Sequence, residues 1–116
     1  LDPETWEWPT PPTSGKPPAA RQSHTANVLP NGDILYFGGY DGITNFNDVH
    51  ILSPRSMHWS QPTIEGRIHP PGGCNHSATL VGDSLYVFGG ASWNDHVADV
   101  KSSLYKLNIE TWQWQQ

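Results

Sequence analysis

The sequence has little cysteine and little positive charge. One cysteine, Cys74, in 116 residues excludes an intrachain disulfide, and with it the stapled scaffold typical of small secreted domains. Six Lys and Arg against eleven Asp and Glu leave a formal charge of −5. The cations are too few and too scattered to form the basic footprint that a nucleic-acid backbone requires. Long apolar runs are also missing: none approaches the roughly 20 residues that span a bilayer as a helix, and no signal-like segment opens the chain. A cytoplasmic setting, or a nuclear one, is the expectation.

Glycine, proline and tryptophan are plentiful. Eleven Gly and eleven Pro punctuate the chain, six Trp anchor it, and 35% of residues are hydrophobic. That mixture favours many short strands joined by turns over long helices. The length is that of one ordinary domain, but the chain repeats itself. Ile34-Leu35-Tyr36-Phe37-Gly38-Gly39 has a near copy 51 residues later, Leu85-Tyr86-Val87-Phe88-Gly89-Gly90. Each is a short unbroken apolar run closed by two glycines, which suits a strand buried on both faces whose end is too crowded for side chains. A period near fifty residues marks a repeat architecture.

A second element recurs three times. Leu1-Asp2-Pro3-Glu4-Thr5-Trp6-Glu7-Trp8 matches Leu52 to Trp59 at a shift of 51 and Leu107 to Trp114 at a shift of 106. In each, a strand ending in Leu makes a polar turn and a new strand carries the Trp. Two complete repeats therefore follow the tail of a third, and residues 1–8 are expected to form the outer strand of a preceding unit. Residues 9–20 are rich in proline and lack an apolar period, so they read as a connector. Pro9 and Pro12 have the spacing of a polyproline ligand. Pro62, Pro70 and Pro71 nevertheless recur at the corresponding place around residues 61–72, and a feature that keeps the period is more economically a loop between units.

Each repeat, residues 21–60 and 73–116, opens with a hairpin. Thr25 to Leu29 and the first apolar run flank Pro30-Asn31-Gly32-Asp33, where Asn31-Gly32 predicts a tight turn with positive φ at both central positions. Gly82-Asp83 takes this place in the second copy. A polar loop, Tyr40 to Asn47, leads to a third strand at Asp48 to Leu52, and the second copy has a loop four residues longer before Leu104 to Leu107. A fourth strand around each Trp completes a four-stranded antiparallel meander of about 50 residues, the size of one propeller blade.

Arg21-x-x-His24, the hairpin, Tyr36-Phe37-Gly38-Gly39, Asp48 before the third strand, and Trp59 form an ordered set. It returns as His76, Gly89-Gly90, Asp99 and Trp112 or Trp114. The set resembles the Kelch repeat over essentially the whole chain. Gly15 to His24 also resembles the Gly-x-x-Pro-x-x-Arg-x-x-His opening common in that family, from which the second repeat departs with Gly73 at the arginine position. The resemblance implies an all-β fold: two four-stranded antiparallel blades of a Kelch-type β-propeller and an incomplete ring, since propellers use about four to eight blades. Blades pack face to face, so Trp59 and Trp112 or Trp114 are expected to fill the gaps between them. Two open faces and unpaired edges predict association.

Residues suited to chemistry have plainer readings here. His24 and His76 hold equivalent repeat positions, which points to a structural hydrogen bond over metal ligation. His50, His58, His69 and His96 show no recurrent ligand spacing. Asp48 and Asp99, also at equivalent places, read as turn acceptors and not as a catalytic pair. Cys74 reads as a small buried filler in preference to a reactive thiol. Asn75-His76-Ser77 is a formal glycosylation sequon at the start of an inner strand, a poor place for occupancy. No cofactor or metal is expected.

The resemblance implies a protein-interaction module whose loops at one end of the ring bind a partner peptide or protein. Position by position it puts Arg21, Tyr40 and Asp41 of the first repeat and Ser92 and Trp93 of the second on that surface, with Arg21 able to fork onto a carboxylate. The plain alternatives are an inter-blade ion pair for Arg21, a solvated loop aromatic for Tyr40, and packing under its longer loop for Trp93. The rival class is an enzyme of the copper-radical oxidase or iron-assisted lyase type, in which His24, His76 or Asp99 would supply one ligand to a metal at the axis. A third reading is a purely structural pair of blades. The expected partners are a protein or peptide and the remaining blades of the same propeller, with no nucleic acid and no membrane.

Overall fold

A computed structural model describes residues 1–116, all of the chain. Its strands run in the order β1 (Ser14–Gly15), β2 (Thr25–Val28), β3 (Ile34–Tyr40), β4 (Asn45–Ser53), β5 (His58–Ser60), β6 (Ser77–Val81), β7 (Ser84–Phe88), β8 (Ala91–Asn94), β9 (Val97–Val100), β10 (Leu104–Asn108) and β11 (Gln113–Gln115). β2 to β5 pair consecutively as an antiparallel meander. The second meander has the order β11-β10-β7-β6, with β8 and β9 as a separate hairpin inserted between β7 and β10. These are two propeller blades, and the inner strands β2 and β6 lie side by side, Asn27 Nδ2 donating to Ala78 O at 3.4 Å.

The blades stack through one face of each. Leu35 is the cross-strand partner of Ile51 and Phe37 of Val49, so these four side chains share a face. In blade two Leu107 is flanked by Leu85 and Trp114, and the two sets merge with Leu29 and Val87 into one buried cluster. Phe37 sits at the seam, with ring centroids 5.0 Å from His76 and 5.2 Å from Trp114. Leu35, Leu85 and Leu107 are wholly buried, each worth about 1.5–3 kcal/mol relative to exposure.

Phe88 holds the same repeat position as Phe37 but is 52% exposed. It alternates with the buried Leu85 and Val87 and so points to the opposite, uncovered face of blade two. Trp59 corresponds to Trp114 on the uncovered face of blade one, and its aromatic neighbour there is Tyr36 of its own blade at 5.4 Å. Sixteen of the 116 residues are buried.

Two expectations about local structure change. The turn at Asn31-Gly32 is wider than a two-residue loop: Val28 pairs with Ile34, Gly32 N donates to Leu29 O at 2.9 Å, and among these residues only Gly32 has positive φ. Pro30 explains this, because its fixed φ presets the first central position of a type I turn and leaves the left-handed position to Gly32. Residues 1–8, expected as an outer strand, show a turn at Pro3 to Thr5 and no strand of their own. That turn is itself periodic. Trp6, Met57 and Trp112 all adopt positive φ, and Trp6 N and Trp112 N each donate at 2.8 Å to the carbonyl four residues earlier, on Asp2 and Asn108.

The proline-rich connectors also carry structure. Ser14 and Gly15 pair in parallel with His58 and Trp59 of β5, and Glu65 repeats the contact against Gln113 of β11. Ser14 N donates to Met57 O at 3.0 Å and Glu65 N to Trp112 O at 2.9 Å. Each connector therefore straps the outer edge of the blade it leads into, and an edge that would template another chain is covered.

Candidate functional site

The site is built where the β3–β4 and β8–β9 connections meet the segments entering β2 and β6, joined by the bridges of Gln22 to Tyr40 and Cys74 to Ala91. The ladder between β3 and β4 shifts register after Phe37 and continues as Gly39 opposite Phe46 and Tyr40 opposite Asn45. The expected loop from Tyr40 is thus a hairpin arm. The shift brings Gly38 against the neighbouring blade, where a Cβ would lie 2.7 Å from His76 Cε1. Asp41 closes the arm, its Oδ1 accepting from Ile43 N at 2.9 Å and Thr44 N at 2.6 Å. Those bonds, Thr44's first, hold its carboxyl below the ordinary value.

The longer second loop also folds into an arm. β8 and β9 pair Ser92 with Asp99 and Trp93 with Ala98, turning through Asp95 and His96, both at positive φ as a two-residue hairpin requires. Asn45 ties the two arms together. Its carboxamide accepts from Trp93 N at 2.8 Å and donates to Trp93 O at 2.8 Å, so a side chain imitates a strand pair across the blade boundary. Gly72 leaves room for this, since a Cβ there would lie 2.1 Å from Asn45 O. Between the arms opens a cleft of about 320 Å³ walled by Tyr40, Ile43, Trp93, Asp95 and His96. Ile43 is 88% exposed at its rim.

Of the residues expected on this surface, Tyr40 and Trp93 line the cleft and Asp41 lies in the adjoining depression. Tyr40 is anchored twice, by backbone bonds to Gln22 of 2.9 and 3.0 Å and by its hydroxyl donating to Gly42 O at 2.8 Å. Ser92 is buried, as the strand alternation of β8 turns it inward while its neighbours face out.

Arg21 also turns inward. Its guanidinium forks onto Asp48 in an ion pair whose second contact, Nη2 to Oδ2, is 3.0 Å. It donates to Gly38 O at 3.2 Å and Ala19 O at 2.9 Å, and its Cζ lies 3.7 Å above the Phe46 ring. The fork expected to face a partner thus closes within one blade. His50 Nε2 completes the group at 2.8 Å from Asp48 Oδ2. Burial pushes the Asp48 carboxyl up, but the bonds from Arg21 and His50 outweigh it and leave the group below its ordinary value.

Asp99 is not the structural counterpart of Asp48. Phe37 pairs with Val49 and Phe88 with Leu104, so the residue equivalent to Asp48 is Ser103. The inserted arm carries Asp99 away into β9, where it pairs with Lys101. Blade two therefore lacks both halves of the Arg21–Asp48 clamp, with Gly73 and Ser103 in their places.

His76 makes the structural bond expected of its position, Nε2 lying 2.9 Å from Thr25 Oγ1 across the blade boundary. His24 meets Tyr36 on the uncovered face, ring centroids 5.9 Å apart. Cys74 is buried, with its backbone paired to Ala91 at 2.9 Å. No three His, Cys, Asp or Glu side chains of this chain converge on one point. The sequence reading missed Ile43, Asn45, Asp95 and His96. Asn94-Asp95 amid the longer loop was the available sign, because such a pair favours a tight turn between two short strands.

Comparison with known proteins matches the whole chain, residues 1–116, to the KLHDC2/KLHL20/DRC7 Kelch-repeats domain. Kelch domain-containing protein 3 of Rattus norvegicus is 42% identical over 94 residues, covering 78% of this chain and 24% of that protein. Acyl-CoA-binding domain-containing protein 5 of Arabidopsis thaliana is 33% identical over 117 residues, 98% of this chain and 17% of that protein. The Rho GTPase-activating protein gacHH of Dictyostelium discoideum is 36% identical over 101 residues, 84% of this chain and 6% of that protein. The chain thus spans a quarter or less of the length of these relatives. With the two stacked blades, the paired glycines and the periodic tryptophan turns, the match shows that the chain belongs to the Kelch-repeat family, whose propellers generally serve protein–protein interaction.

Proposed function

We propose that this chain is the part of a propeller whose loop end binds a partner protein or peptide in the cleft between the Tyr40 and Trp93 arms. The observation that carries the reading is the Asn45 clamp on the Trp93 backbone, with both contacts at 2.8 Å. It makes one surface of loops from two blades, and an aromatic cleft on a rigid support is a common form of recognition site. Tyr40 and Trp93 supply rigid apolar area, Asp41 supplies charge, and Arg21 supports the arm from beneath by its hold on Gly38 O and Asp48.

The relatives favour this reading over a catalytic one. Proteins whose names announce acyl-CoA binding and Rho GTPase activation share this segment in less than a fifth of their length, and what they share is the repeat. In the full-length protein, Tyr40→Ala together with Trp93→Ala is expected to weaken the co-purifying partner at least about tenfold, the loss of two aromatic anchors. Unchanged affinity in that double variant sinks the reading. Arg21→Ala is a poor probe of binding, because it breaks the clamp under the arm.

A further inference from the structure

The reading of the cleft as a partner site extends to the chemistry of what enters it, and the following rests on that reading. The cleft has aromatic walls at Tyr40 and Trp93, with a carboxylate on each side of it: Asp95 lines the cleft, and Asp41 follows Tyr40 in the opposite arm. Both carboxylates are exposed, and neither takes part in an ion pair. Asp41 engages the Ile43 and Thr44 amides through Oδ1 alone, and Asp95 takes part in no ion pair. Arg21, which lines the adjoining depression, is spent on Asp48. Tyr40 gives its hydroxyl proton to Gly42 O, so its ring offers a π surface and no donor.

A carboxylate entering this space would meet the Asp95 carboxylate in the cleft wall, the Asp41 carboxylate in the adjoining depression, and no Lys or Arg among the residues that line the cleft. An apolar side chain would touch the rings but leave both carboxylates unused. We propose that the cleft takes one cationic side chain, arginine or lysine, from an extended segment of a partner protein. The cation would lie against the Tyr40 and Trp93 rings with its N–H groups directed to Asp95 and Asp41. The net charge of −5 favours the same partner at longer range.

A displayed library of random linear peptides selected on the full-length protein tests this. Enriched peptides are then measured by fluorescence polarisation against the wild type, Trp93→Ala, and Asp41→Asn combined with Asp95→Asn. The Asn changes are isosteric and lie on the surface, so folding is checked simply by an unchanged melting temperature. The expected peptides carry Arg or Lys and lose about fivefold or more in affinity when that residue becomes Gln. The double Asn variant shows a similar loss and a weaker dependence on salt. Peptides that need Trp93 but present Asp, Glu or apolar anchors alone overturn the cationic ligand and leave the partner surface standing. Peptides indifferent to Trp93, or no enrichment over an unrelated protein, overturn both.

Discussion

Thr25 Oγ1 and His76 Nε2 meet at 2.9 Å although 51 residues separate them, so the repeat's own period defines a hydrogen bond between blades. The ring also rests edge-on against Phe37 and fills the space above Gly38. This one imidazole links the hydroxyl of one blade, the core of the seam and the approach of the glycine pair.

The junction is expected to weaken in acid. Burial is the main reason the His76 ring sits below its ordinary value of 6.5; its bond with Phe37 opposes this and the charge of His24 adds to it. The unfolded chain takes up a proton at 6.5 where the folded chain does not, so this stability is complete above pH 6.5 and is lost as the pH falls toward the folded value. Melting curves from about pH 8 to about pH 5 should show the decline in the wild type and a flatter profile in His76→Gln. Equal slopes in the two proteins would refute the assignment.

The Arg21–Asp48 clamp is expected to be strongly non-additive. Removing one partner leaves the other largely buried without a counter-charge, a loss of about 2–4 kcal/mol for Arg21→Gly or Asp48→Ser alone. The pair Arg21→Gly with Asp48→Ser reproduces what blade two already carries in Gly73 and Ser103, and it should cost less than the two single changes summed. Because the Asp48 carboxyl is held below 3.8, the clamp contributes fully above that pH and is lost as the pH falls through the lower, folded value. Urea titration of the four proteins at neutral pH measures the cycle, and simple additivity rules the coupling out.

Phe37 and Phe88 occupy one repeat position in two environments. Phe37→Ala empties a site between His76 and Trp114 and is expected to cost about 3–5 kcal/mol. Phe88→Ala removes a ring that is 52% exposed and should cost about 1 kcal/mol or less. Chemical denaturation of this chain separates the two, and comparable losses would mean that both faces are covered.

That contrast marks what could be read from the chain before its structure. The apolar runs, glycine pairs and tryptophan turns are local and periodic, so the strands and blades follow from residues close in sequence. The connectors that strap β5 and β11, the arm from Ala91 to Val100 and the partner of Arg21 depend on contacts between distant segments, where no short period signals the outcome. Asp99 shows the hazard most plainly. Its offset of 51 from Asp48 imitates the repeat, yet the inserted arm moves the true counterpart to Ser103. At the candidate site Tyr40 and Trp93 were expected from the resemblance of the stretches after the glycine pairs to the Kelch repeat, whereas Asn45 was not, because its role lies in reaching a backbone 48 residues away.

Asn45 therefore bears the last expectation. Its carboxamide holds Trp93 N and O at 2.8 Å each, and Asn45→Ala removes both contacts at a cost of about 1–2 kcal/mol. The blade cores around Leu35 and Leu107 lie outside this contact, so the loss should be confined to the arms. Hydrogen exchange should quicken at the Trp93 amide while the Leu35 and Leu107 amides keep their protection. The change Asn45→Asp keeps the acceptor for Trp93 N but sets a carboxylate oxygen against Trp93 O, so the Trp93 amide should exchange more slowly than in Asn45→Ala while the contact to Trp93 O is lost. If Asn45→Ala leaves Trp93 exchange unaltered, the two arms do not depend on each other, and a single cleft spanning them has no physical support.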